Sequence, residues 1–470
     1  MGTIRSMQLT ARRARPVRRW LAGLVLLLMA AAASIAAALE LTPLQTVTVA
    51  GQVIQVGASA PTLSLSGPGE VDLFGQSLPT NMQFNGPVRP RLQLSQISIN
   101  SELTTFVQGD RPAGAERILG ARLADGWKQY FIWETLITGA GALIVVGAVA
   151  GWRRVTPRTT WKLLVAGLVV AEAINLGAIM TAAYSAPALL REAHSLNDLV
   201  GTDTRLPRLR PVGPSLPDVQ VVVMGDSTAA GAGLAPLPGS TDRDCGRSAD
   251  SYAADLSAAD GWRVLNLACN GATIGNGLLG PQDHAGRRLP PQLAVAEQAG
   301  HASLVIVSVG ADDLNWAAEV HYCSVAPRCN DLATTAYFQQ QLASFSKNYL
   351  DLLSRLAGLP SHPQVIINRY YDPFGAQPSC LSQAGLSATN LQTLTSRLAT
   401  LNQVLAQGAS EFGFSSAQPD FAGHELCTPQ PYVQGLNAAA PFHPTAAGQL
   451  AIALADQAAL QSARRGATNA

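Results

Sequence analysis

Apolar and polar positions alternate in three different ways along the 470 residues. Residues 20–39, 130–152 and 163–184 are almost uninterrupted apolar runs. Each is about as long as the roughly 20 residues a helix needs to cross a bilayer. The first is preceded by Arg5, Arg12, Arg13, Arg15, Arg18 and Arg19, and Arg153, Arg154, Arg158 and Lys162 stand between the second and third. Basic flanks stay in the cytoplasm, so residues 1–19 and the 153–162 loop are expected there. Three crossings then leave everything after Tyr184 outside the cell membrane. The Ala36 to Ala38 end of the first run also resembles a signal-peptidase site, so a cleaved leader stands as the alternative to a retained anchor. Glu172 and Asn175 fall in the middle of the third run. There an ionisable group is either functional or part of a polar contact between helices.

A second pattern, of short alternating stretches such as Thr46-Val47-Thr48-Val49 and Leu92-Gln93-Leu94, marks residues 40–128 as a small β-rich region. Residues 185–217 read as a linker, with four prolines after Leu206 and no helical periodicity. From residue 218 to 470 the third pattern appears. Buried-looking strands at 219–224, 263–267, 304–309 and 364–368 alternate with amphipathic helices, the longest at 334–356 and 391–405. Continuous apolar strands separated by helices predict an α/β domain whose parallel sheet is covered on both faces. Functional residues are then expected on the loops at the carboxyl ends of the strands.

Composition sharpens this picture in two ways. A formal charge of +1, from 32 basic and 31 acidic residues, offers no field for nucleic acid. All six cysteines, at 245, 269, 323, 329, 380 and 427, lie beyond the apolar runs and form no CxxC pair. An even, widely spaced set reads as three disulfides in an oxidising compartment, against the alternative of buried free thiols, and not as a zinc site.

Chemistry is concentrated in four blocks. The first strand runs into Gly225-Asp226-Ser227-Thr228, where a serine among small neighbours can be presented on a tight turn. Alone this is a weak signal, since any Gly-rich turn reads the same way. The second strand leads to Cys269-Asn270-Gly271, the third to Gly310-Ala311-Asp312-Asp313, and Phe442-His443-Pro444 opens the last helix. In this order and on these strand ends, residues 218–470 resemble the SGNH (GDSL) hydrolase family. Cys245-Gly246-Arg247-Ser248, residues 421–427 and the cysteine spacing are similar to its actinobacterial disulfide-bearing branch.

The resemblance implies a flavodoxin-like three-layer α/β/α domain that uses no metal or organic cofactor. It makes Ser227 the nucleophile and His443 its general base. The backbone N–H groups of Ser227 and Gly271, with the side chain of residue 312, make up the oxyanion hole. It also implies disulfides Cys245–Cys269, Cys323–Cys329 and Cys380–Cys427. The chain departs from the family at two positions. Asp312 stands where the family has a donating Asn, and an ionised carboxylate cannot donate; a protonated Asp312 or Asn315 is the expected substitute. Ala440 stands where most members have the Asp that orients the imidazole, so its backbone carbonyl is the expected orienter of a Ser–His dyad. His424 is expected to be structural, and His194, His284, His301, His321 and His362 lack metal-ligand spacing. Trp316 and Tyr322 either line a substrate pocket or pack.

The function these features predict is a membrane-anchored, extracytoplasmic esterase or lipase acting on an acyl ester, such as an envelope glycan or lipid. Two alternatives stand beside it. One is an acyltransferase using the same serine, for which Glu172 and the multi-span anchor speak. The other is a catalytically idle binding or scaffold protein, for which Asp312 and Ala440 speak.

Overall fold

The computed structural model describes residues 23–49, 52–60, 64, 66–97, 115–192, 215–375 and 380–468. The Arg-rich residues 1–19, the start of the first apolar run, His194 and most of the Pro-rich spacer lie outside them. The chain divides into two compact units.

The first unit contains three long helices, α1 (Gly23–Leu41), α2 (Ala115–Trp152) and α3 (Pro157–Glu192). It also contains five strands: β1 (Gln45–Val49), β2 (Gln52–Ala58), β3 (Ser66–Leu73), β4 (Gln76–Asn85) and β5 (Pro90–Ile97). They form one sheet in the order β1-β2-β5-β3-β4, with β1 antiparallel to β2 and β3 parallel to β5. Each helix holds a stretch long and apolar enough to cross a membrane, at Gly23–Leu41, Ala121–Trp152 and Pro157–Thr181.

Two expected boundaries move. Residues 115–128, assigned from sequence to the β-rich region, are the first turns of α2, and α3 runs on to Glu192, inside the expected linker. The first shift has a simple origin. Leu123, Ala124, Trp127 and Tyr130 are buried at helical spacing on the stripe that packs against β1 and β2, whereas Arg122, Asp125 and Lys128 break the apolar run. An amphipathic segment of this kind is invisible to a search for uninterrupted hydrophobicity. The Tyr130 hydroxyl then ties α2 to the end of α1 by donating to the Leu39 carbonyl at 3.0 Å.

Between α2 and α3 the buried Glu134 carboxyl accepts from the Asn175 amide at 2.8 Å and from the Thr138 hydroxyl at 2.9 Å. Asn175 therefore makes an interhelical polar contact, and Glu134, which sequence analysis passed over, is its acceptor. Glu172 lies opposite Gly139, where an added Cβ would come within 2.7 Å of its carboxylate.

The second unit is built on β6 (Val221–Gly225), β7 (Val264–Asn266), β10 (Leu304–Ser308), β11 (Gln364–Asn368) and β12 (Ser415–Ala417). All neighbours are parallel, in the order β12-β11-β10-β6-β7. Taken in chain order within this sheet, that is 2-1-3-4-5, the flavodoxin-like arrangement. A separate hairpin pairs β8 (Gln282–His284) with β9 (Arg287–Leu289). Every residue of β6 and β10 is buried, so the sheet is covered on both faces.

The covering helices are α4 (Ser227–Ala230), α5 (Tyr252–Asp260), α6 (Gln292–Ala296), α7 (Trp316–Val325), α8 (Leu332–Ala357), α9 (Ala388–Glu411) and α10 (Ala446–Thr468). Of these, α5 packs with α10, and α8 and α7 pack with α9. The sequence has no signal for β12, which is three residues long and contains no β-branched side chain.

The α7–α9 contact encloses a buried ion pair, Glu319 with Arg397, whose guanidinium also donates to the Cys329 carbonyl at 3.1 Å and lies over the Phe338 ring. Removing one member leaves the other charged, buried and unpaired. Glu319→Ala is therefore expected to cost about 3 kcal/mol, whereas Glu319→Leu combined with Arg397→Met costs much less. Urea unfolding of the full chain in detergent measures both.

Candidate active site

The site begins at a backbone constraint. Strand β6 ends at Gly225 with φ of 150°, and a Cβ there would fall 2.1 Å from the Ser308 carbonyl oxygen of β10. Only glycine fits where the two central strands lie this close. Its peptide groups are clamped by one side chain: the Gly225 N–H donates to Gln292 Oε1 at 2.8 Å, and Gln292 Nε2 donates to the Gly225 carbonyl at 2.9 Å. Asp226 caps α4 by accepting the Thr228 N–H at 2.9 Å, which places Ser227 at its first position. Gln449 of α10 fixes the same turn by donating to the Thr228 carbonyl at 2.9 Å while accepting the Tyr252 N–H at 2.9 Å.

His443 comes from the other end of the domain. Its Nε2 lies 2.7 Å from Ser227 Oγ, and its Nδ1 lies 3.1 Å from the Pro441 carbonyl oxygen. A carbonyl only accepts, so Nδ1 carries the proton and Nε2 is left as the acceptor for the serine hydroxyl. The orienting carbonyl is thus that of Pro441 and not that of Ala440, as the sequence led us to expect. The reason is a turn: the Ala440 carbonyl accepts the His443 N–H at 3.2 Å, and Phe442 adopts a positive φ of 66°. That committed carbonyl leaves the next one to face the ring.

Gly271 sits in the turn after β7 with φ of 72°. The turn is tied to the end of β6 by the Cys269 N–H, which donates to the Gly225 carbonyl at 3.1 Å. Among the described residues, neither the Ser227 nor the Gly271 N–H has a protein acceptor.

Asp312 follows β10, and its Oδ2 is buried without a hydrogen-bond partner among the described residues. Burial, and then the charge of Asp226, push its carboxyl up to about 7 against the pull of His443. Asp226, itself raised to about 6 by burial, accepts the Tyr370 hydroxyl at 2.6 Å, and that hydroxyl accepts the Ala311 N–H at 3.0 Å. Asp313 accepts the Ile274 N–H at 3.0 Å and is raised to about 7, chiefly by burial. The Asn315 amide donates one hydrogen to the Tyr337 hydroxyl at 3.2 Å.

Three disulfides join Cys245 to Cys269, Cys323 to Cys329 and Cys380 to Cys427, with Cα separations of 4.2, 5.1 and 5.6 Å. All lie below the roughly 7 Å beyond which two cysteines cannot be bridged. Trp316 packs against the core, and the Tyr322 hydroxyl donates to Asp331 at 3.2 Å. His424 is held structurally: its ring stacks on Tyr432 at 3.9 Å and donates from Nδ1 to the Gln430 carbonyl at 2.8 Å. His284 hydrogen bonds the Asp244 carbonyl at 2.8 Å. Gln292, Gln449 and Tyr370 escaped sequence analysis, because a lone glutamine or tyrosine in a helix or loop carries no pattern.

Residues 223–451 match the GDSL-like Lipase/Acylhydrolase family. The chain carries a GDSL-family domain. Over 238 residues it is 29% identical to Lipase 1 of Streptomyces coelicolor, spanning 48% of this chain and 81% of that protein. Over 247 residues it is 28% identical to a lipase of Streptomyces rimosus, spanning 50% of this chain and 84% of that protein. Among solved structures, the extracellular lipase of Streptomyces rimosus matches at 25% identity and a TM-score of 0.43, covering 52% of this chain and 99% of that one. Phospholipase A1 of Streptomyces albidoflavus matches at 22% identity and a TM-score of 0.42, with the same coverage. The GDSL domain places the chain among the carboxylic ester hydrolases.

The carboxyls at 226, 312 and 313 hold their protons more tightly in the folded chain than at their ordinary 3.8. The stability each contributes is complete below about pH 4 and is lost as pH rises through about 6 to 7. The melting temperature of the full chain in detergent is therefore expected to fall between pH 5 and pH 8. Asp313→Asn keeps an acceptor for the Ile274 N–H and should make that fall shallower; an unchanged slope contradicts the assignment.

Proposed function

We propose that the GDSL domain hydrolyses acyl esters outside the cytoplasmic membrane through an acyl-enzyme on Ser227. The observation that carries this reading is the 2.7 Å contact between Ser227 Oγ and Nε2 of His443. Ser227 Oγ attacks the ester carbonyl carbon while its proton passes to Nε2. The oxyanion is received by the Ser227 and Gly271 N–H groups and by Asp312 in its protonated form. Collapse breaks the bond to the alcohol oxygen, which takes the proton from His443, and water then repeats the sequence to release the acid. Because the orienting group is a neutral carbonyl, the imidazolium is stabilised less than it would be beside a carboxylate.

The same reading places α1, α2 and α3 across the membrane. Large apolar side chains such as Met29, Ile132, Leu136, Ile144, Val169 and Met180 point outward from these helices, where lipid would meet them. The basic turn at Arg153 and Arg154 then faces the cytoplasm. The GDSL domain, with its disulfides, lies on the oxidising side. The substrate class is an acyl ester presented in the envelope.

Fluorophosphonate is expected to label the detergent-solubilised full chain, and Ser227→Ala to abolish both labelling and hydrolysis of a short-chain aryl ester. A native chain that neither labels nor hydrolyses would favour the idle binding-protein reading. The Asp312 carboxyl makes a second prediction. It donates below about pH 7 and repels the oxyanion above it, so kcat/KM should decline on the alkaline side. Asp312→Asn should abolish that decline and, at pH 9, exceed the native rate by at least about tenfold, given the hundredfold or more that one oxyanion donor is typically worth. An Asp312→Asn chain slower than native at pH 9 would overturn the role given to Asp312.

A further inference from the structure

His443 must be held in register with Ser227 although its own orienter is a single backbone carbonyl. The segment carrying it runs antiparallel to residues around Val433, which bridges Pro444. The Gln434 N–H donates to the His443 carbonyl at 2.7 Å, and the Gln434 carbonyl accepts the Phe442 N–H at 3.1 Å. Its side chain reaches the other partner: Nε2 donates to the Ala232 carbonyl at 2.7 Å and to the Pro444 carbonyl at 2.9 Å, using both amide hydrogens. The Ala232 N–H in turn donates to the Ser227 carbonyl at 3.1 Å. An unbroken chain of hydrogen bonds thus joins the backbone of the nucleophile to the backbone of the base through one buried residue.

The local sequence has made room for it. A Cβ at Gly233 would lie 2.4 Å from Gln434 Oε1 and 2.8 Å from the Ala440 Cβ, so Gly233 and the small Ala440 let the amide enter. We propose that Gln434 is a positioning residue for catalysis, setting the distance between Ser227 and His443 through its amide in a site with no orienting carboxylate. This rests on the Ser227–His443 reading above.

The test uses full-length protein in detergent, after Ser227→Ala has been shown to abolish activity; if it does not, the reading of the site fails and this inference is not at issue. Gln434→Met and the nearly isosteric Gln434→Glu are compared with native for kcat, KM and the rate of fluorophosphonate labelling. Loss of register acts on the chemical step, so kcat and the labelling rate should both fall by about ten- to a hundredfold with KM within about threefold of native. Gln434→Glu should recover part of its deficit as pH is lowered, because a protonated carboxyl donates again to the Ala232 or Pro444 carbonyl whereas a carboxylate repels both. A native kcat with only a lowered melting temperature, a loss confined to KM, or a Gln434→Glu deficit that does not change with pH would each overturn the proposal.

Discussion

The site depends on a contact between two side chains 216 residues apart, Ser227 and His443, and neither side chain holds itself there. A hydroxyl-to-imidazole hydrogen bond contributes on the order of 1 kcal/mol, far less than the cost of ordering two loops. The geometry therefore has to be inherited from the sheet. Strands β6 and β10 lie at the switch point of the order, with Gly225 pressed against Ser308, and this close approach fixes where the serine turn starts. The helix α10 that follows the histidine returns to the same turn through Gln449.

Around this frame the chain uses amides where charged groups would be costly. Gln292 takes both peptide groups of Gly225, and Gln449 takes the Thr228 carbonyl. Each satisfies backbone polarity inside the domain without the desolvation penalty of a carboxylate. Three carboxyls, Asp226, Asp312 and Asp313, crowd the carboxyl ends of β6 and β10, where burial, aided at Asp312 and Asp313 by the neighbouring carboxylate charge, favours their neutral forms.

Much of this was legible in the sequence. The positions of β6, β7, β10 and β11 and the three long apolar helices follow from patterns that local physics imposes, whereas the four blocks carrying Ser227, Gly271, Asp312 and His443 stood out by their resemblance to a known family. Uninterrupted apolar runs mean burial on every side, and small residues at strand ends mean tight turns. What could not be read were properties of pairs. The choice between the carbonyls of Ala440 and Pro441 turned on one positive φ at Phe442. The start of α2 turned on a stripe of four residues meeting a sheet, and Glu134 acquired its meaning only when Asn175 was found against it. A single residue's type constrains its own backbone and solvation, whereas its partners are chosen by the fold.

The acceptor that fixes the His443 tautomer is the main-chain oxygen of Pro441, an atom that every residue type supplies. Replacing the side chain at that position leaves the acceptor in place, so the contact can be lost only if the peptide plane itself turns. This contact is therefore tolerant of amino-acid exchange but sensitive to the conformation of its loop. A survey of tolerated residues would find nothing invariant there, even though that oxygen is the atom the imidazole Nδ1 meets.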